Sequence, residues 1–362
     1  MSSGEATSIL GSQGTRQGAS TSQWLAGWQA AVPARPRVSI IIPAYNAEST
    51  LAECFACVFQ STYEAFEVIL IDDWSTDGTR ALSAKFPVRV VTTEGRAGPA
   101  AARNLGARVA EGDILFFIDT DVMLRPDSIE RLVRRFAEGD VDAVCGVQAA
   151  AMRHRDPVSQ YKNLWMRWTY LRSTGEVPLF YTTAAAILRT PFWQAGGFDP
   201  GYANPSLEDT AFGQKLARLG IRVRVQPDLE VEHVKRYTLA SLLRTDFRRA
   251  VALSRLKLRH RDELGKNNTS VPTGYIASIP LAALGTFALL AGVALGLPAL
   301  NVVGVLAGAI VILLNREFLH TIRISEGWSK SPASVALLWL ELLVAGVGTC
   351  FGLLSFQFGN RY

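Results

Sequence analysis

Apolar residues in the first two thirds of the chain come in short runs, and several of these stop abruptly at carboxylates. Residues 114–118 are five apolar residues in a row, the pattern of a strand buried on both faces, and they end at Asp119 and Asp121. Residues 68–71 form a second run that ends in a carboxylate pair, Asp72 and Asp73. A third, 38–42, stops at Pro43 with Tyr45 and Asn46 just beyond. Between them, residues 47–60 have helical spacing. Residues 88–92 read as a strand, 95–99 as a turn, and 100–110 as a helix carrying Arg103 and Asn104. Strand and helix alternating in this rhythm build a doubly wound α/β sheet. Ligands bind beyond the carboxyl ends of such strands, so the three run ends converge on one edge.

The second half is less regular. Residues 122–140 read as a charged helix, 143–150 as a strand, and 159–173 as a helix with Tyr161, Trp165, Trp168 and Tyr170. An aromatic stripe at that spacing points to core, with a share in an acceptor or membrane-facing groove as the alternative. Residues 182–188 read as a strand, 191–195 as a short helix and 196–198 as a turn. Glu208 and Asp209 open the helix 210–219, where a carboxylate caps the end and the helix dipole keeps it ionised. Residues 221–225 and 229–233 read as two short strands, the second ending at His233. Residues 237–270 are basic, with Leu239, Leu242, Leu243, Phe247, Ala250 and Val251 at helical spacing. Such a helix suits an anionic membrane surface.

From residue 271 onward the pattern changes again. Residues 275–296 and 297–315 carry no charge, and 332–355 carry only Glu341. Each run is near or above the roughly 18-residue threshold for a spanning helix, so three transmembrane helices are expected. Glu341 should then face protein, with Asn301, Asn315, Thr286 or another subunit as its partner.

Composition sharpens this division. The 362 residues are 49% hydrophobic, which is high for a soluble enzyme, and the excess sits in the last quarter. The net charge is +5, and the surplus is local. Lys and Arg cluster before the first apolar run and again at Arg316, Arg323 and Lys330. The positive-inside rule therefore places the α/β domain and that loop in the cytoplasm, and the C-terminal tail outside. The protein is expected to be a multi-pass protein of the cytoplasmic membrane. No nucleic-acid module accompanies the basic stretch, so nucleic acid is not an expected partner. Four cysteines give no disulfide framework. Cys54 and Cys57 fall in a helical pattern and read as small core residues rather than a redox pair. Residues 1–36 are rich in Ser, Gly, Thr and Gln and lack a signal-peptide pattern, so they read as a disordered arm.

Two hard oxygen donors at the spacing of Asp119 and Asp121 suit a Mg2+ or Mn2+ ion that also holds a diphosphate. The neighbouring pieces give that reading a context. Ile42-Pro43-Ala44-Tyr45-Asn46, Asp72-Asp73-Trp74-Ser75-Thr76-Asp77-Gly78-Thr79, Ala102-Arg103-Asn104, Asp119-Thr120-Asp121, Gly196-Gly197-Phe198-Asp199, Glu208-Asp209 and Val231-Glu232-His233 follow one another over residues 38–236. In this order they resemble a family-2 glycosyltransferase with the GT-A fold, a doubly wound mixed sheet.

The resemblance implies a role for each residue. Pro43, Tyr45, Asp72, Asp73, Arg103, Asp119 and Arg248 would bind a nucleotide-sugar donor. Tyr45 can stack on a uracil ring, and Asp72 or Asp73 can accept from its N3–H. Asp77 is the better placed of the nearby acids for capping the following helix. Arg103 can reach the nucleotide. Asp119, Asp121 and His233 would hold Mn2+ or Mg2+, although a histidine after an apolar run can also be a core residue. Asp209, with Glu208 beside it, would be the general base that deprotonates an acceptor hydroxyl.

Processive relatives carry Gln-x-x-Arg-Trp in an interfacial helix. Thr245-Asp246-Phe247-Arg248-Arg249 lacks the Gln and the Trp. The expectation is a membrane-bound, inverting enzyme that moves sugar from a nucleotide-diphospho-sugar, with UDP favoured, to a hydroxyl of a lipid or lipid-linked glycan. Three alternatives stay open: a polyprenyl-phosphate glycosyltransferase, whose acceptor needs no base, a processive polysaccharide synthase, and a nucleotide-sugar-binding protein without catalysis.

Overall fold

The structure is a computed structural model that describes residues 33–172, 175–202, 207–260, 269–327 and 331–359. Most of the N-terminal arm lies outside the described residues. The catalytic domain runs β1 (Val38–Ala44), α1 (Glu48–Phe59), β2 (Phe66–Asp72), α2 (Thr79–Ser83), β3 (Arg89–Thr92), α3 (Pro99–Val109), β4 (Ile114–Ile118) and β5 (Val122–Met123). It continues with α4 (Ser128–Ala137), β6 (Ala143–Gln148), α5 (Pro157–Leu171), β7 (Ala184–Leu188), α6 (Arg189–Gln194), α7 (Glu208–Arg218) and β8 (Val223–His233).

All eight strands join one mixed sheet in the order β3-β2-β1-β4-β7-β6-β8-β5. The first four are parallel, and β7 reverses the direction beside β4. Alternation along the strands splits the core into two layers. Ile41, Ile69, Ile71, Leu115 and Phe117 point to one face; Ile40, Ile42, Leu70, Phe116 and Ile118 point to the other, against α1. Both faces are covered by helices, which is why these strands read as continuous apolar runs. The parallel strands all deliver their carboxyl ends to one edge.

Two elements differ from the sequence reading. Residues 122–140 are not a single helix, because Val122 and Met123 pair with His233 and Glu232 before α4 begins. The two short strands expected at 221–233 are one strand. Cys145 pairs with Val225 and Val147 with Glu230, so residues between those partners bulge out. Pro227 falls in that bulge, where it cannot donate to a ladder.

Five helices follow: α8 (Leu239–Arg259), α9 (Thr273–Leu295), α10 (Pro298–Leu314), α11 (Arg316–Glu326) and α12 (Ser331–Gln357). Helix α9 ends at Gly296 in the left-handed conformation (φ 64°), and Pro298 opens α10, a strong helix stop followed by a start. By length and composition, α9 and α12 can cross a membrane. The pair α10 and α11, bent by 69°, counts as a third candidate if it is one span. The aromatic stripe of α5 joins this layer to the domain: Trp165 packs on Tyr275 at 4.9 Å and on Phe318 at 4.8 Å.

The partners expected for Glu341 were wrong. Its carboxylate accepts from the Tyr161 hydroxyl at 2.6 Å and pairs with Lys162 at 3.4 Å, both on α5. Asn315 instead bonds Ser278, and Thr286 accepts from Trp339. Tyr161 and Lys162 lie 180 and 179 positions before Glu341, and no local pattern ties α12 to α5.

Candidate active site

A cleft of about 620 Å³ opens at the carboxyl edge of the sheet. The ends of β1, β2 and β4 contribute Pro43 and Tyr45, Asp73, and Asp119 with Asp121. His233 comes from the end of β8, Glu208 and Asp209 from the start of α7, and Arg248 and Arg249 from α8; Arg103 projects from α3. One expected residue is elsewhere. Asp72 is fully buried, accepts from the Ser75 N–H at 3.1 Å and pairs with Arg80, so it organises the turn after β2 and does not line the cleft. Asp77 accepts from the Thr79 N–H at the start of α2 and from the Glu48 N–H at the start of α1.

Just past β2, Asp73 folds the following loop around itself. It accepts from the N–H groups of Ala97 (2.7 Å) and Gly98 (2.9 Å) and from the Thr93 hydroxyl (3.1 Å). Gly98 has φ 86°, which an L side chain rarely adopts, and Pro99 then starts α3. The loop carries Arg96, whose guanidinium sits 3.5 Å from the centre of the Tyr45 ring. Sequence reasoning missed Arg96, which covers one face of the ring expected to stack on a base. Asn46 (φ 50°) and Trp74 (φ 66°) hold strained backbone just past β1 and β2. Asn46 is locked there: its side chain accepts from the Thr76 N–H at 2.8 Å.

In the centre, Arg103 is held by two acids. Its guanidinium donates to Asp119 at 2.9 Å and to Glu208 at 3.0 Å; Arg103 and Glu208 are buried and Asp119 is half-buried. A buried guanidinium needs such partners, since an unpaired charge there would be costly. Arg103 is thus a strut between β4 and α7, and its Nε is buried without a hydrogen-bond partner. Burial pushes the Asp119 carboxyl up from its ordinary value, with Arg103 pulling the other way and Asp121 adding to the rise.

Among the described residues, no group of three or more His, Cys, Asp or Glu side chains is arranged to hold a metal ion. Asp121 and His233 nonetheless form a pair, with Nε2 3.2 Å from Oδ2. Burial works to raise the Asp121 carboxyl, but the His233 hydrogen bond and the charges of His233 and Lys235 outweigh it, so Asp121 stays below its ordinary value. An ionised carboxylate and an imidazole on a cleft wall fit Mn2+ or Mg2+, which takes its remaining ligands from water and substrate phosphates rather than from an all-protein cage. Asp119, expected as a third ligand, is turned to Arg103.

At the start of α7, Asp209 accepts from the Thr210 N–H at 2.6 Å. Burial and the neighbouring Glu208 raise its carboxyl to about 6, against the pull of Arg249 and Arg103. Arg249 also donates to the Met166 sulfur at 3.7 Å. Arg249 and Lys162 both line the cleft and were not singled out from the sequence. The available signals were an arginine doublet at 248–249 and a lysine set in an aromatic stripe. Of the cysteines, Cys54 is buried in the core and its thiol is pushed up by burial, unlike a redox thiol.

Residues 39–196 match the sequence model described as glycosyl transferase family 2. The match takes in less than half of the chain and gives it a domain of this family. The family-2 domain is 35% identical over 114 residues to glycosyltransferase GlyG of Streptococcus pneumoniae serotype 4, a match covering 30% of this chain and 38% of that protein. It is 31% identical over 112 residues to WfgD of Escherichia coli, named a UDP-Glc:alpha-D-GlcNAc-diphosphoundecaprenol beta-1,3-glucosyltransferase; here 30% of the chain matches 44% of the relative. The match thus spans less than half the length of either relative. In fold the chain is similar to the mannosyltransferase PcManGT of Pyrobaculum calidifontis, solved with GDP-Man and Mn2+. The identity is 22%, the TM-score 0.55, and the likeness covers 91% of this chain and 92% of that one. The mixed sheet is that of the GT-A fold.

Proposed function

We propose that this family-2 protein is a membrane-anchored, inverting glycosyltransferase. It takes a nucleotide-diphospho-sugar, with UDP as the favoured nucleotide, and transfers the sugar to a hydroxyl of a lipid or lipid-linked glycan. The observation that carries this reading is one cleft lined by two chemically distinct groups of side chains: Tyr45, Asp73 and the Asp121–His233 pair past the strand ends, and a partly buried carboxylate, Asp209, on α7. The names of WfgD and the ligands of PcManGT support a nucleotide-sugar donor and a divalent metal. The basic residues flanking the apolar helices support a catalytic domain on the cytoplasmic side.

Asp209 is ionised at neutral pH and removes the proton from the acceptor hydroxyl as that oxygen bonds to the anomeric carbon. The bond from this carbon to the diphosphate breaks, and the nucleoside diphosphate leaves with the electron pair. Attack opposite the leaving group inverts the configuration, and the Asp209 carboxylate serves as base rather than as nucleophile. Arg103 holds β4 and α7 at a fixed separation, which sets the distance between the two groups. Arg248 and Lys235 place positive charge along the cleft. Mn2+ or Mg2+ held by Asp121 and His233 would supply further charge neutralisation for the leaving diphosphate. The test is product analysis: a purified full chain given a UDP-sugar and a polyprenyl-diphosphate-linked sugar should release UDP and form a linkage of inverted configuration.

A second reading has one observation in its favour. Lys162 and Arg249 stand near Asp209 and could bind an anionic acceptor. A polyprenyl-phosphate acceptor is already a nucleophile, and in that case Asp209→Asn would keep most of its activity.

A further inference from the structure

Helix α12 has two unlike sides. Glu341, Ala345, Gly348, Gly352 and Ser355 recur at helical spacing and face protein. On the other side, Leu340, Val347, Phe351 and Leu354 are bare; Val347 is 63%, Phe351 52% and Leu354 57% exposed. The covered side follows α8 in parallel. Leu242 shares a buried cluster with Leu338 and Leu342. A Cβ at Gly348 would meet the Phe247 carbonyl oxygen at 2.8 Å, and one at Gly352 the Val251 oxygen at 2.8 Å. Small residues one turn apart let the two backbones touch. Further along, Arg255 donates to the Ser355 hydroxyl at 2.9 Å.

Helix α8 in turn is fastened to the catalytic domain along its length. Asp246 pairs with Lys162 at 2.5 Å, Leu256 belongs to the core beneath the sheet, and Arg259 donates to the Tyr202 hydroxyl at 3.1 Å. It also carries Arg244, Arg248, Arg255 and Lys257, charges too expensive for the bilayer core. Residues 341–355 are about 21 Å long at about 1.5 Å per residue, and they run beside α8 throughout. A crossing needs about 30 Å of hydrocarbon, so a helix that stays beside α8 cannot leave the domain's side of a membrane.

The hairpin of α9 and α10 behaves differently. Its two ends meet near the domain, where Asn315 donates to Ser278 at 2.9 Å, and Phe287, Val293 and Val305 on its remote part are exposed. We propose that this hairpin alone enters the hydrocarbon of the membrane. Helix α12 lies in the plane of the interface with its bare stripe on the boundary between lipid headgroups and acyl chains, and the C-terminus shares the catalytic domain's side. The α8 cations are complementary to anionic headgroups, and the bare stripe continues the apolar surface of the hairpin. The placement also accounts for Glu341, which faces Lys162 at the domain surface rather than the middle of a bilayer. The inference replaces the three-span topology expected from the sequence. It requires membrane insertion of the hairpin and does not depend on the transfer reaction.

The test uses the full chain with a C-terminal epitope tag, reconstituted in sealed vesicles of phosphatidylethanolamine and phosphatidylglycerol and treated with external protease. The fraction of chains that loses the tag should equal the fraction whose catalytic domain is digested. A tag protected in the chains with digested domains overturns the in-plane assignment. Release of the chain by alkaline carbonate contradicts membrane insertion itself, and the proposal with it. Spin labels at Val347→Cys and Leu354→Cys, each a mild change at an exposed position in a chain whose exposed Cys350 is replaced by serine, should report one shallow depth. A depth that increases from one label to the other also overturns the assignment.

Discussion

The strand edge and the helix layer beneath it do different work with the same kinds of residue. At the edge, Tyr45, Asp73, Asp119 and Asp121 sit one to three residues past the ends of strands, and the local backbone aims them. In the helix layer, Lys162, Asp246 and Glu341 come from three helices and are aimed by one another: Lys162 pairs with Asp246 at 2.5 Å and with Glu341 at 3.4 Å. The edge is preorganised by chain geometry, the layer by a buried ionic cluster. Removing one member of such a cluster leaves an uncompensated charge, whereas removing the Tyr45 ring or the Asp121 charge from the edge leaves its neighbours in place.

That contrast can be broken from either side. The largest effect is expected at the edge, in chemistry. Asp121→Asn, or excess EDTA on the native protein, should lower turnover at least about a thousandfold, since a bound metal supplies several kcal/mol of charge stabilisation. Its thermal stability should change little. Full activity in EDTA would remove the metal from the account.

In the helix layer the order reverses, with stability affected before chemistry. Glu341→Leu strands Lys162 with half its partners, and losses of about 3–5 kcal/mol are usual for a broken buried pair. Glu341→Gln, which can still accept from Tyr161, should lose less. Thermal unfolding in detergent and the transfer rate, measured on both variants, separate the cases. A stable Gln variant with no transfer would instead put Glu341 in the path of the acceptor.

A smaller effect tests the donor end. Tyr45→Ala should weaken nucleotide binding about tenfold, because stacking of a base on an aromatic ring is worth about 1–3 kcal/mol. Titration with UDP and GDP on wild type and variant reads this directly. Unchanged affinity for both would assign Tyr45 to Arg96 rather than to the base.

The legible parts of the sequence were those where pattern and position coincide. Apolar runs ending at Pro43, Asp72 and Asp119 announced both the strands and the site edge. The order of strands beyond β4 was not readable, because β7 reverses and β8 inserts a bulge at Pro227 that looks like a break. Asp72 and Asp73 are adjacent and chemically identical; only the turn to Ser75 and Arg80 sends one of them away from the cleft. Asp119 reads as a metal ligand from its motif, while its pairing with Arg103 of α3 has no signature in the sequence around either residue. Arg249 and the Glu341–Lys162 pair depend on contacts between residues 83 to 179 positions apart. Apolar length alone made α12 a span; its glycines carried the contrary signal, but only the helix they pack against gives them meaning.

The central claim is that Asp209 acts on the acceptor proton while the rest of the cleft holds the donor. The direct measurement is the pH dependence of kcat for wild type and Asp209→Asn, with donor affinity measured in parallel. A base must be ionised, and burial beside Glu208 sets this carboxyl at about 6. The wild-type rate should therefore be level above pH 6 and fall as the pH drops through that value. Asp209→Asn should bind donor normally and lose about 10²–10⁴-fold in kcat, with no inflection near pH 6 in what remains. A variant that turns over at the wild-type rate, or that loses only donor affinity, would contradict the assignment.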